Sequence, residues 1–158
     1  MGLKRSFLAI FLLGSALLVL TLLGLHFTKP GPENPGTELN VTLFTSPFCG
    51  CCHNYASYLE NRGAEVEIVY LTSEELMEKM SIVPKDMRSC HIVEVEGYYV
   101  VGHVPVEIIQ KLLAERPNVD GITLPGMPPG SPGMGGVKEG AFTIYYLDAR
   151  RTGVYAVG

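Results

Sequence analysis

The chain has no surplus of basic residues. Twelve Lys and Arg stand against sixteen Asp and Glu, a formal charge of −4 over 158 residues, and setting aside Lys4 and Arg5 leaves ten against sixteen, or −6. Phosphate contacts need a positive surface, so nucleic acid is excluded as a partner. No internal repeat is present, and the length leaves room for one folded domain beside the first thirty residues. Cysteine is scarce as well, with four in all. Their distribution is uneven: three fall in Cys49-Gly50-Cys51-Cys52-His53.

Lys4-Arg5 precedes an uncharged, mostly apolar run from Phe7 to Phe27. As a helix it spans about 30 Å, the thickness of a bilayer's hydrocarbon core. The run lacks a small-x-small cleavage site and ends in Leu25-His26-Phe27. It is therefore read as one uncleaved N-terminal transmembrane helix, with a removed secretory signal as the alternative. The basic pair holds the N-terminus in the cytoplasm, which places the cysteines on the extracytoplasmic side of the cell membrane. Residues 1–28 form this anchor or signal, 29–37 a Pro/Gly linker with Pro30, Pro32 and Pro35, and 38–158 the folded domain.

The cysteine stretch lies between two periodic segments. Leu39 to Thr45 has the β-branched content of a strand, while Cys52, Tyr55, Ala56 and Leu59 mark the apolar face of a helix. The sulfurs thus sit at a helix N-terminus, where free N–H groups and the dipole favour thiolate. Cys49 and Cys52 alone make the C-x-x-C pair of a thioredoxin-like redox site. Cys51 is a third sulfur that a two-thiol couple does not require, and crowded thiolates suit a soft metal ion.

Glu65 to Leu71 alternates as a second strand, and Thr72-Ser73-Glu74-Glu75 is a capping box opening a short helix that Pro84 stops. Ile92–Val95 and Tyr98–Val101 flank Glu96-Gly97 as a hairpin, and a helix from Pro105 carries Ile108, Ile109, Leu112 and Leu113 to Arg116-Pro117. The fold class is α/β, a thioredoxin-like β-α-β-(α)-β-β-α domain. That order brings Ser89-Cys90-His91, at the entry to the third strand, beside Cys49 and Cys52. Leu124 to Gly136 is a Pro/Gly-rich loop whose large side chains are Met127 and Met134. They are read as plugs seating the loop on the core, with thioethers near the cysteines as the alternative. Ala141–Leu147 and Gly153–Val157 form a C-terminal β extension.

Cys49-Gly50-Cys51-Cys52, Ser89-Cys90-His91, Gly97-Tyr98, Gly102-His103-Val104-Pro105 and Pro125-Gly126-Met127-Pro128 with Gly130-Ser131-Pro132-Gly133-Met134 together resemble the CopG-like family of exported copper-resistance proteins. The resemblance runs from about Leu39 to Met134. It implies a thioredoxin-like fold binding copper, as Cu(I) and in a copper–thiolate cluster, through Cys49, Cys51, Cys52 and Cys90, with His91 and His103 as neighbours. It also implies copper redox handling at the cell envelope and an envelope protein that delivers or accepts the metal. Ile92 departs from the Thr that often follows Ser-Cys-His in that family, which leaves the sulfurs intact.

Two functions follow. The first is an envelope copper-binding protein for copper resistance, with zinc as the less favoured ion because three cysteines on one turn suit a single closed tetrahedron poorly. The second is a membrane-anchored thiol-disulfide oxidoreductase with Cys49 and Cys52 as the catalytic pair. Against it, no proline directly precedes the third strand, where such enzymes carry one. A copper or thiol oxidoreductase activity stays open on either reading. His53, Tyr98 and Tyr99 are read as packing or surface residues.

Overall fold

The computed structural model describes residues 39–149 and 151–158. The expected membrane anchor and the linker lie outside the described residues, among which no helix is long and apolar enough to cross a membrane.

Alternation builds β1 (Leu39–Thr45), with Leu39, Val41, Leu43 and Thr45 buried and the residues between them more exposed. α1 (Gly50–Glu60) turns Cys52, Tyr55, Ala56 and Leu59 inward, and β2 (Ala64–Tyr70) returns parallel to β1. α2 (Ser73–Lys79) opens on the capping box that the sequence predicts: the Thr72 hydroxyl accepts from the Glu75 N–H, and the Glu75 carboxylate accepts from the Thr72 N–H. Two short 3₁₀ turns around Pro84 lead to β3 (His91–Val95). β4 (Tyr98–Val101) folds back across Glu96-Gly97, whose φ values of 45° and 87° give the two left-handed residues of a type I′ turn. α3 (Val106–Glu115) follows Pro105 and stops at a left-handed Arg116 ahead of Pro117.

Three further strands, β5 (Gly121–Thr123), β6 (Thr143–Asp148) and β7 (Arg151–Val157), complete a seven-stranded sheet in the order β2-β1-β3-β4-β5-β6-β7. β5 is absent from the sequence reading because three residues, one of them glycine, are too short for a periodic pattern. It is nonetheless the joint, running parallel to β4 and antiparallel to β6, through which the C-terminal hairpin extends the sheet.

Alternate residues of the strands feed two apolar clusters. Leu43, Val93, Val100 and Ile122 pack with Tyr55, Leu59, Ile109 and Leu112 from α1 and α3. Ile92 and Val101 instead join Leu76, Met80 and Val83 around α2. A helix pinned in this way by its own buried face presents its first turn at a fixed point, directly after the carboxyl end of β1.

Candidate metal centre

Cys49 is the N-cap of α1, with extended backbone, and its carbonyl accepts from the N–H groups of Cys52 and His53. No acidic side chain stands in the first turn and no side chain caps it, so no carboxylate offsets the positive end of the dipole there. Across the sheet, Cys90 lies one residue before β3 and its carbonyl accepts from the buried Thr45 hydroxyl at 3.3 Å. The antiparallel pairing of Thr45 with His91 fixes that proximity.

The four sulfurs meet. Cys90 Sγ lies 3.6 Å from Cys51 Sγ and 3.4 Å from Cys52 Sγ, and Cys49 Sγ lies 3.5 Å from Cys51 Sγ. Cys49 and Cys52 are joined as a disulfide, whereas Cys51 and Cys90 are free thiols. Burial, and then the nearby Cys51, push the Cys90 thiol up to about 11, although the hydroxyl of Ser89 opposes this. Cys90 therefore keeps its proton at neutral pH until a metal displaces it.

Two histidines close the other side. His91 and His103 are both fully buried. His91 Nε2 is 3.1 Å from the Gly102 carbonyl and His103 Nδ1 is 2.6 Å from the Pro132 carbonyl. A carbonyl only accepts, so each of these nitrogens carries the proton. Burial holds both rings neutral, with His91 down to about 3 and His103 below its ordinary value. The remaining nitrogens, His91 Nδ1 and His103 Nε2, are then bare lone pairs, and they face Cys90 Sγ at 3.7 and 3.9 Å. Carbonyls that orient imidazoles in this way are the usual outer support of metal-binding histidines.

Gly102 is required where it stands. Its φ of +77° is left-handed, and a Cβ there would fall 2.5 Å from the Leu124 carbonyl. Met127 adds a fifth sulfur: its Sδ lies 3.5 Å from Cys90 Sγ, although its own backbone is left-handed (φ 45°), an unfavourable state for a methionine. The thioether alternative is thus the one that fits Met127. The Pro/Gly loop is held close enough to α1 that a Cβ on Gly133 would lie 2.6 Å from the Tyr55 amide nitrogen.

His53 stays outside this assembly, its ring 5.9 Å from that of Tyr70. Sequence reasoning did not anticipate three contributors: the carbonyls of Gly102 and Pro132, and Tyr55. The Tyr55 ring stacks on His91 at 4.7 Å and meets His103 edge-on at 5.2 Å, while its hydroxyl donates to the Val104 carbonyl at 2.7 Å. Carbonyls leave no trace in residue identity. The tyrosine could have been noticed, because a tyrosine on a buried helix face needs a partner for its hydroxyl.

Among the described residues the donor atoms form two groups, Cys49/Cys51/Cys52/Cys90 and Cys90/His91/His103, each with members within 4.8 Å of one another. An ion about 2.3 Å from each of two thiolates holds them roughly 3.7 Å apart, close to the 3.5, 3.6 and 3.4 Å of the Cys49–Cys51, Cys51–Cys90 and Cys52–Cys90 pairs. Fold and donor set together define an α/β metal-binding protein.

Two solved structures of a copper resistance protein CopG are similar to this chain. Form 2 is 34% identical with a TM-score of 0.68, covering 77% of this chain and 99% of that one. Form 1 is 33% identical with the same TM-score, covering 77% and 98%. The family model described as "Protein of unknown function, DUF411" matches residues 87–134. An Escherichia coli (strain K12) protein bearing the name "Putative arsenate reductase-like protein" is 31% identical over 85 residues, 47% of this chain and 82% of its own length. The chain belongs to the CopG family of copper resistance proteins.

Proposed function

We propose that this chain is an envelope copper-binding protein that holds Cu(I) through the thiolates of Cys49, Cys51, Cys52 and Cys90 in the service of copper resistance. One observation carries the reading: Cys90, from across the sheet, meets two of the three sulfurs of the first helix at 3.4 and 3.6 Å. Soft thiolates select Cu(I) over harder ions, and three sulfurs on one turn suit bridging copper better than one tetrahedral zinc. His91 and His103 stand next to this set. The metal-accepting form is the reduced one, in which two electrons and two protons from a dithiol have opened the Cys49–Cys52 bond. The fold that this reading assumes is thioredoxin-like, anchored by the Phe7–Phe27 run with its thiols outside the cytoplasm.

A second reading is favoured by the disulfide itself. Cys49 and Cys52 at a helix N-terminus form the pair expected of a thiol-disulfide oxidoreductase, and copper release on oxidation would join the two functions.

The test is elemental analysis and Cu(I) competition on reduced full-length protein produced with copper and zinc both available. Copper bound by the parent protein and lost in Cys90→Ser is expected. Zinc alone in the parent, or full Cu(I) affinity in Cys90→Ser, sinks the proposal. Robust disulfide-reductase turnover that disappears in Cys49→Ala would establish the second reading.

A further inference from the structure

Phe48 is 95% exposed, more than any other large apolar side chain among the described residues. Its place is fixed: the Cys49 N–H donates to the Ser46 carbonyl at 3.3 Å, closing a turn that carries Phe48 directly before the cysteine. A single exposed ring would need no explanation. Phe48, however, is not alone. With Pro47 it lines a groove of about 400 Å³ whose other members include Tyr70, 52% exposed, Leu71, Ser73 and Glu75. The Leu71 N–H donates to the Thr45 carbonyl at 2.9 Å, which ties the end of β2 to the end of β1 and holds the two sides of the groove together. Met77, 42% exposed, follows Ser73 by one helical turn on the same face of α2.

No residue of the Pro/Gly loop lines this groove; Met127 of that loop lies instead against Cys90, 3.5 Å from its sulfur. Of the two bonded cysteines, Cys52 is fully buried and Cys49 is half-buried. A reagent arriving across Phe48 therefore meets Cys49 first. The charge around the groove is of one sign: Glu74, Glu75 and Glu78 stand exposed on α2, no Lys or Arg lines the groove, and Lys79 is paired with Glu94 at 2.6 Å.

We infer that the groove between Phe48 and Tyr70 is the docking surface for a reducing partner protein, one that presents apolar side chains and flanking Lys or Arg beside a pair of thiols. Each part of that description answers a feature of the surface: apolar side chains cover the exposed rings, positive charge complements the glutamates, and the dithiol matches the bond to be opened. The partner's thiolate attacks Cys49 Sγ and forms a new S–S bond, while the electron pair of the old bond leaves on Cys52 Sγ. The partner's second thiolate then attacks the partner sulfur of this mixed disulfide, and Cys49 Sγ departs. The partner ends as a disulfide, its two electrons reside on Cys49 and Cys52, and its two protons reach them through solvent. This role rests on the copper reading above only for why the bond must open; it adds the face on which the opening takes place.

The probe is a synthetic peptide carrying a Cys-x-x-Cys pair beside leucine, phenylalanine and lysine. Dithiothreitol and a second peptide, with the same thiols but serine and glutamate as neighbours, serve as comparisons. Full-length protein is isolated oxidised and free of metal, and opening of the bond is followed by acid quench, alkylation and mass spectrometry. The basic apolar peptide should react at least roughly 10-fold faster than the acidic polar one, an advantage that shrinks as salt is added. Phe48→Ser and Tyr70→Ser should each slow the first peptide by roughly 10-fold or more, but slow dithiothreitol, too small to span the groove, by less than about 3-fold. Glu74→Lys/Glu78→Lys should reverse the preference between the peptides. A single-cysteine form of the first peptide, quenched early, should be found on Cys49 and not on Cys52.

Equal rates for the two peptides, an unchanged rate in Phe48→Ser, or capture at Cys52 overturns the inference. Equal slowing of peptide and dithiothreitol does so too, because it assigns the effect to the disulfide itself. The parent protein, reduced, is titrated with Cu(I) separately. If it binds no Cu(I) while the dependence on Phe48 and Tyr70 holds, the copper reading falls and the docking surface stands; normal Cu(I) binding with opening rates indifferent to both residues removes the surface alone.

Discussion

Tyr55→Phe is the most direct probe of how the centre is supported. The Tyr55 hydroxyl is fully buried and donates to the Val104 carbonyl across 49 residues of chain, tying α1 to the segment that carries His103. Phenylalanine keeps the ring on His91 but leaves that carbonyl without its donor. A buried acceptor so stranded costs about 2 kcal/mol. In a domain of this size each kcal/mol is worth roughly 3–6 °C, so the melting temperature of the reduced, metal-free protein should fall by about 6–12 °C. Calorimetry on parent and variant in one buffer measures it. The metal-loaded spectra should stay alike, since the stacking survives. Tyr55→Leu, which loses ring and hydroxyl together, should alter both. A Tyr55→Phe transition within about 1 °C of the parent would refute the assignment of a structural hydrogen bond.

The metal-free protein should lose stability as the pH falls. His91 sits near 3 when folded against about 6.5 unfolded, so the unfolded chain binds the extra proton between those values; the stabilisation is complete above 6.5 and declines towards 3, by on the order of 5 kcal/mol. Urea midpoints that do not change from pH 6.5 to 4 would contradict this. Met127→Leu preserves volume, so the metal-free melting temperature should stay within about 3 °C while the charge-transfer spectrum of the loaded protein shifts; an unchanged spectrum would remove the thioether from the site. Gly102→Ala forces a left-handed alanine against the Leu124 carbonyl and should cost about 2 kcal/mol or more in urea unfolding, with weakened metal binding because the carbonyl orienting His91 moves. An unaltered midpoint would show that the chain relaxes there without penalty.

Much of the fold was legible in the residues, for identifiable reasons. β1 and β2 alternate, Thr72 and Glu75 form a capping box, Glu96-Gly97 makes a tight turn, and Pro105 and Pro117 bracket α3. These are local signals. β5 escaped because its pairing is decided by β4 and β6 rather than by its own three residues. The same division holds at the metal centre. The approach of Cys90 to the helix cysteines follows from strand order and could be expected. The orientation of the histidines depends on the carbonyls of Gly102 and Pro132, and the nearness of Met127 depends on a left-handed backbone that no periodicity announces. His53 shows the converse: adjacency to Cys52 in sequence did not bring it into the cluster.

The spacing of the cysteines also bears on biosynthesis. A growing polypeptide exposes Cys49, Cys51 and Cys52 together, and Cys90 arrives 38 residues after Cys52. Any oxidant met during that delay finds only the early trio. Adjacent α-carbons, about 3.8 Å apart, are too close for an unstrained bond between Cys51 and Cys52, which makes Cys49 a member of any early ring, closed to Cys51 or to Cys52. The mature molecule contains the second of these rings. Premature oxidation that closes this ring does not misroute assembly, and the latecomer can still take its place against the sheet.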